Sequence, residues 1–416
     1  MSIRRRGITV YEQYERVWKY ISTEEITKLT LDLVKIPSPT GNELEASMFY
    51  ADYLRAKGID ARLDYVLPNR PNVVAKLSGE APSERSIMLY GHIDTVPAFD
   101  CTPPRVEGGK VYGRGAMDMK GSLAAVAVVL KALKAANVRL REDLWLAAAV
   151  GHEAPAGKSE GAKSLRDKIL RREIPVDAVF VTEGLIDHIK VAQGGLAIYK
   201  IGVSSEEGGR HSGLIPLRAN PVLWMGELIH EIGLFDDRLA SEPRHPIIVG
   251  RPCVNVGIAS GGDFYNRIPS LCALEGTVRW NPGKTFNDVE RELQSLVKNV
   301  EERMEEPFRK AIHFNLDVNL IRDAYELVGK NEVVDWLKKA VKATTGKDID
   351  VIGTRYVSDV GLFGPAGIPT VSWGPINDED FDLAHSNNEC MRIDNLVVLA
   401  KGYAALALDL CGVTDS

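Results

Sequence analysis

Short apolar runs that alternate with helix-length amphipathic segments constrain this chain more than any other feature. "NVVAKL" (72–77), "SIMLYGH" (86–92), "LWLAAAV" (144–150) and "AVFVT" (178–182) are each bounded by turn residues. Runs of this length read as strands, and helical patterns at 119–136 and 160–171 separate the later ones. Alternating strands and helices build an α/β sheet with helices on both faces. Upstream, residues 23–36 read as a helix, with capping-box spacing from Ser22 to Glu25 and Pro37 as its stop. A second helix at 41–57 ends at Gly58.

The middle of the chain follows another pattern. "LAIYKIGVS" (196–204) alternates like a half-exposed strand, and "NPVLWMGELIHEIG" (220–233) is an amphipathic helix. "CVNVGIAS" (253–260) and "LCALEGTVRW" (271–280) are strands, and 286–303 is a charged helix. Strand, helix, two strands, helix suggests a small sheet with both helices on one side. After about residue 315 the α/β style resumes and ends in a helix at 393–410. The expected architecture is therefore a discontinuous α/β domain, a mixed sheet flanked by helices, with an α+β domain inserted into it. The segments are an N-terminal extension (1–22), a first catalytic part (23–193), the insert (194–314) and a second catalytic part (315–416).

The 416 residues exceed one ordinary compact domain, and 45% apolar content allows a sizeable core. A net charge of −6 argues against a polyanion binder, so no nucleic acid is expected. The basic "IRRRG" reads as a short solvated tail. No apolar h-region follows "MSIRRRG", and "SLAAVAVVLKALKAA" (122–136) is broken by Lys131 and Lys134. No membrane partner is expected. The five cysteines are scattered with no CxxC, which fits a reducing cytoplasm.

The chemistry gathers where strands end. "YGHIDTVP" (90–97) closes a strand with His92 and Asp94. At a period of two, both side chains point the same way, so His92 can bind a metal while the Asp94 carboxylate accepts its other N–H. "GRGAMDMKG" (113–121) carries Asp118, either an N-cap of the next helix or a carboxylate able to bridge two metals. "VGHEAPAGKSEGA" (150–162) puts His152 and Glu153 at the next strand end, "VTEGL" puts Glu183 at another, and "AHSNNE" (384–389) offers His385 and Glu389. In an α/β sheet ligands bind at the carboxyl ends of strands. Imidazoles and carboxylates without thiolates suit zinc, cobalt or manganese in an open catalytic site.

Together "GHIDTVP", "GRGAMDMKG" and "AHSNNE" resemble the two-zinc amidohydrolases and exopeptidases that include aminoacylase, acetylornithine deacetylase, succinyl-diaminopimelate desuccinylase and the glutamate-releasing carboxypeptidases. The resemblance runs from about residue 25 to the C-terminus. It implies a hydrolase of an amide bond in an N-acyl amino acid or small peptide, holding two divalent ions. His92, Asp118 and Glu183 would hold the first, with Asp94 orienting His92. Asp118 and His385 would hold the second, with Glu389 nearby. The insert looks like a lid and dimerisation domain, which implies a homodimer. Its "GGRHSGLIPLRANP" (208–221) matches a lid motif whose histidine, His211, would stabilise an oxyanion in the partner's site. Asn266 and Arg279 match positions that hold a substrate carboxylate, and "SWGP", with Gly374, resembles a loop that shapes that pocket.

The sequence departs from the resemblance at one strand end. The family has two adjacent acids there, a general base followed by a ligand. Here the pair is His152–Glu153 or, shifted by one, Glu153–Ala154. Glu153 lies 35 positions after Asp118, which favours Glu153 as ligand and His152 as base. A histidine suits that work, since its ordinary pKa of about 6.5 lies near neutral pH. The other register keeps Glu153 as base and needs Glu160 to fold back onto the metal. Two rival functions remain open. One is an impaired relative that binds peptides or acyl-amino acids without turnover. The other is an aminopeptidase whose acidic run "NDEDFD" (377–382) holds the substrate amine.

Overall fold

The computed structural model describes residues 10–81, 85–153, 157–329 and 331–414. The basic tail and Ala154 lie outside them. The chain forms two compact units. The first comprises Met1–Val191, Leu327–Ile352 and Leu362–Ser416, and the second Ala192–Glu326 and Gly353–Gly361. The expected boundary at 314 falls inside the strand Ile312–Arg322, which pairs with Gly195–Ser205 in the second unit. That strand alternates half-buried and exposed residues, so its sequence lacks the apolar run that marks the others.

In the first unit the sheet runs Asp60–Leu67, Arg70–Leu77, Leu144–Ala149, Ile87–His92, Ala178–Val181, Thr370–Ser372, His188–Gln193. Leu144–Ala149, Ile87–His92, Ala178–Val181 and Thr370–Ser372 pair in parallel. Their residues are buried throughout, as in a sheet covered on both faces. All four carboxyl ends share one edge, and the metal-competent residues follow directly from it.

The helix Gly121–Ala135 is buried around nearly its whole circumference, with only its last turn and Lys131 reaching water. Truncating Leu123 there would cost about 2–5 kcal/mol. The helix starts after Asp118, whose φ of −124° and ψ of 91° are not helical. Lys120, not Asp118, occupies the N-cap position of Gly121–Ala135, so Asp118 is not the N-cap that its place before the helical pattern allowed. Ser22 caps the helix Thr23–Val34 by accepting from the Glu25 N–H at 3.1 Å. The Glu25 carboxylate pairs with Lys57 at 2.7 Å and Lys131 at 2.8 Å. Part of the expected N-terminal extension is a helix, Val10–Trp18, whose Tyr14 hydroxyl donates to Asp409 at 2.6 Å. Tyr14, Val17 and Trp18 fall on one helical face.

The second unit holds an antiparallel sheet in the order Cys253–Gly261, Leu271–Trp280, Gly195–Ser205, Ile312–Arg322. Ala197, Tyr199, Ile201 and Val203 point to one face and pack with Leu228 and Ile232 of the helix Pro221–Ser241 and Leu293 and Leu296 of Phe286–Glu302. Asn220 caps the first of these helices, and a capping box of Thr285 and Asp288 starts the second. Among the described residues, no helix is long and apolar enough to cross a membrane.

Candidate metal centre

His92 ends its strand fully buried. Its Nδ1 lies 2.9 Å from the backbone carbonyl of Asp94. A carbonyl only accepts, so Nδ1 carries a proton, and Nε2, 3.0 Å from Asp118 Oδ1, is the nitrogen left to offer its lone pair to an ion. The Asp94 carboxylate is not the ring's close partner, since Oδ1 stands 3.7 Å from Nδ1. Instead Oδ1 accepts from the His152 N–H and Oδ2 from the Glu153 N–H, both at 3.0 Å. His92 is the last residue of its strand, and the Asp94 carbonyl just beyond it reaches the ring.

Asp118 faces two imidazoles with two different oxygens. Oδ1 meets His92, and Oδ2 lies 3.1 Å from His385 Nε2. The same His385 nitrogen is 3.1 Å from Glu153 Oε1. His385 sits at a φ of +63° in an exposed loop, so the backbone there bends to aim the ring inward. Glu160 does not fold back. Its carboxylate accepts from the Lys158 N–H at 3.0 Å and lies 3.5 Å from Arg70.

His152 lies against His92 with ring centroids 4.0 Å apart and 5° between the planes. His92, His152 and Glu183 form one group whose ligand atoms lie within 4.8 Å of one another, and His92, Asp118 and Glu153 form another. A single ion cannot take both imidazoles of the first group. Parallel rings this close must be stacked, so their planes are offset by about 3.5 Å. An imidazole ligates in its own plane at roughly 2.0–2.1 Å, so an ion in the plane of His92 is beyond reach of His152.

The electrostatics favour positive charge at this centre. Burial opposes charge on His92, yet its bond to Asp118 and the charges of Asp118, Asp94 and Glu153 raise its pKa well above the ordinary value. Asp118 and Glu153 raise that of His385 to about 10. Burial, followed by the Asp118 charge, raises that of Glu183. The donor set fits divalent ions. Ligand atoms about 2.1 Å from an ion at tetrahedral angles stand roughly 3.4 Å apart, a few tenths of an ångström wider than the 3.0, 3.1 and 3.1 Å separations of His92–Asp118, His385–Asp118 and His385–Glu153.

Two residues that the sequence did not single out, or left without a role, hold this arrangement together. Glu389 is fully buried, and its Oε1 accepts from the N–H groups of Gly115, Met117 and Asp118 at 2.9, 3.0 and 3.2 Å. Arg114 donates to Glu389 Oε2 at 2.5 Å and to the His385 carbonyl at 2.9 Å. This pair ties the Asp118 loop to the His385 loop. Gly374 proves to be a seat for Glu183: a Cβ there would stand 2.4 Å from the Glu183 carbonyl carbon. It is buried against that backbone, which explains the glycine without a substrate.

The remaining predicted residues belong to the second unit. His211 is exposed, its Nδ1 accepts from the Gly213 N–H at 3.1 Å, and its Nε2 meets the Asn266 amide at 2.9 Å. Ser212 holds that amide from its other side at 2.7 Å. Asn266 therefore fixes the His211 ring. Arg279 is elsewhere in this unit, half-buried, and donates to the Arg355 carbonyl at 3.0 Å. Burial lowers its pKa, and Arg355 adds to that.

The model of peptidase family M20/M25/M40 matches residues 88–409. N-formyl-4-amino-5-aminomethyl-2-methylpyrimidine deformylase of Halalkalibacterium halodurans is 30% identical over 420 residues, spanning 93% of this chain and 95% of that protein. Succinyl-diaminopimelate desuccinylase of Corynebacterium glutamicum is 27% identical over 379 residues, spanning 89% and 93%. Among solved structures, the di-peptidase Dug1p of Saccharomyces cerevisiae has the same fold, with a TM-score of 0.74 at 17% identity over 97% of this chain and 99% of that one.

Proposed function

The chain belongs to peptidase family M20/M25/M40 and is a hydrolase, and on that footing we propose that it cleaves the amide bond of an N-acyl amino acid or short peptide at a centre of two divalent ions, preferably zinc. The observation that carries this reading is the Asp118 carboxylate, which turns one oxygen to His92 and the other to His385. His92, Asp118 and Glu183 would hold one ion, and Asp118, Glu153 and His385 the other. When bound, the ions polarise the scissile carbonyl and make a nearby water more acidic.

The chain's own residues do the rest. The His152 ring takes the proton of the attacking water and returns it to the leaving nitrogen. The stack on His92 supports this role, because it keeps His152 off the ion that His92 holds. His211, its ring set by Asn266, stabilises the developing oxyanion. Arg279 pairs with the substrate carboxylate through its planar fork. A second copy of the chain, joined through the inserted unit, is part of this reading.

The test is turnover of N-formyl, N-acetyl and N-succinyl amino acids and of dipeptides by chelator-stripped and zinc-reloaded protein. Hydrolysis that disappears on stripping and returns on reloading is the expected result. Zinc uptake without turnover of any of these compounds would point to a binding protein.

A further inference from the structure

The loop after the helix Thr23–Val34 carries Thr40, whose hydroxyl donates to Asp94 Oδ2 at 2.6 Å. Asp94 is fully buried, and the same carboxylate receives the N–H groups of His152 and Glu153, one on each oxygen. We propose that Thr40 is a positioning residue for the His152–Glu153 turn, acting through Asp94. The inference rests on the reading of Glu153 as a metal ligand and His152 as the base.

The loop does not need the hydroxyl to stay in place. Pro39 bridges to Thr95 in parallel register. The Thr40 N–H donates to the Thr95 carbonyl at 3.2 Å, the Thr95 N–H to the Ser38 carbonyl at 2.9 Å, and the Ser38 hydroxyl to the Ile93 carbonyl at 2.7 Å. With the loop held this way, the Thr40 hydroxyl is left to the carboxylate.

What the carboxylate does explains why its angle matters. Gly151, at a φ of +77°, turns the chain sharply just before His152. A side chain there would be strained by that φ, and its Cβ would displace the Glu160 carboxylate, 2.3 Å away. The two N–H groups after this turn are satisfied by the two oxygens of Asp94, so the plane of that carboxylate sets the turn. The turn in turn sets the stack of His152 on His92 and the approach of Glu153 to His385. Thr40 is the third donor, and it fixes the plane from outside the turn. Without it Oδ2 keeps one donor, and the carboxylate gains freedom to rotate. Partners one step removed from a metal ligand, the place Asp94 holds, typically change affinity or activity by about 10–100-fold when lost, and Thr40 stands one step further out, at the low end of that range.

The experiment is zinc titration against a chelator for the parent, Thr40→Val and Thr40→Ser, with Glu153→Ala marking the event that depends on Glu153. Valine keeps the shape of threonine and removes the donor; serine keeps the donor and removes the methyl. The expected result is a loss of about tenfold in the Glu153-dependent binding event for Thr40→Val, with the other event unchanged and Thr40→Ser within about twofold of the parent. If Thr40→Val does not fold, Thr40→Ala carries the same comparison. Two parental affinities in the valine variant, or equal losses in valine and serine, would overturn the positioning role alone. A parent that takes up fewer than two ions would overturn the reading of the centre and this inference with it.

Discussion

The His152 imidazole stacks on that of His92, 4.0 Å between centroids and 5° from parallel. A base held against a ligand's face would be kept off that ligand's ion while remaining beside it, where it could take a proton from the attacking water. Replacing His152 with Gln should therefore lower kcat by about 10²–10⁴-fold, the usual contribution of a positioned base. Metal content should not change. Loss of one ion in this variant would make His152 a ligand and remove it as the base.

The Arg114–Glu389 pair predicts an ordering of stabilities. Burial and the Asp118 charge raise the Glu389 pKa, and Arg114 opposes them. Arg114→Ala leaves a buried carboxylate without its counter-charge and should cost about 3–5 kcal/mol. Glu389→Gln keeps the shape and an acceptor for the Gly115, Met117 and Asp118 amides, and should cost less, about 1–3 kcal/mol. Denaturant unfolding of the metal-free variants checks this, and a larger loss in Glu389→Gln would contradict it.

Glu25 predicts an acid limb. Burial works to raise its pKa, but hydrogen bonds from Lys131, Lys57 and Tyr53 outweigh it and hold the value at about 2. A folded-state value below the unfolded one gives stability that is present above about pH 4.5 and lost as pH falls through about 2. With Lys57 partly exposed, the effect should be about 1–2 kcal/mol. Unfolding free energies from pH 5 to 2 should fall more steeply in the parent than in Glu25→Gln. Identical slopes would show that the three bonds contribute nothing.

The lid histidine makes a separable prediction. His211→Ala should lower kcat by about 10²-fold, as loss of one oxyanion donor does, and leave metal content untouched. Full activity in this variant would remove His211 from the reaction.

Most of the proposed centre was legible because strands give clear signals and the candidate ligands follow their ends. His92, His152, Glu153 and Glu183 each close or follow a buried run, and the sheet places those ends along one edge. The two possible registers at 152–154 were not separable by spacing alone. In three dimensions Glu153 lies beside His385 and Glu160 beside Arg70, an arrangement that supports the proposed register. The partner of the His92 ring differs from the expected one because period-two alternation was extended past the end of the strand, where the Asp94 backbone carbonyl, not its carboxylate, takes the ring. Arg114 and Glu389 are 275 positions apart, and no local pattern joins them. Gly374 drew attention as a pocket residue, yet its lack of a side chain serves the Glu183 backbone.

The most direct test of the account is the metal-to-protein ratio of zinc-reconstituted Glu153→Ala beside the parent. Two ions per chain in the parent and one in the variant are predicted, with Glu153 as a ligand and His152 left to take the proton. Two ions in both would contradict it, because Glu153 would then be free to act as the base and the second ion would have another ligand.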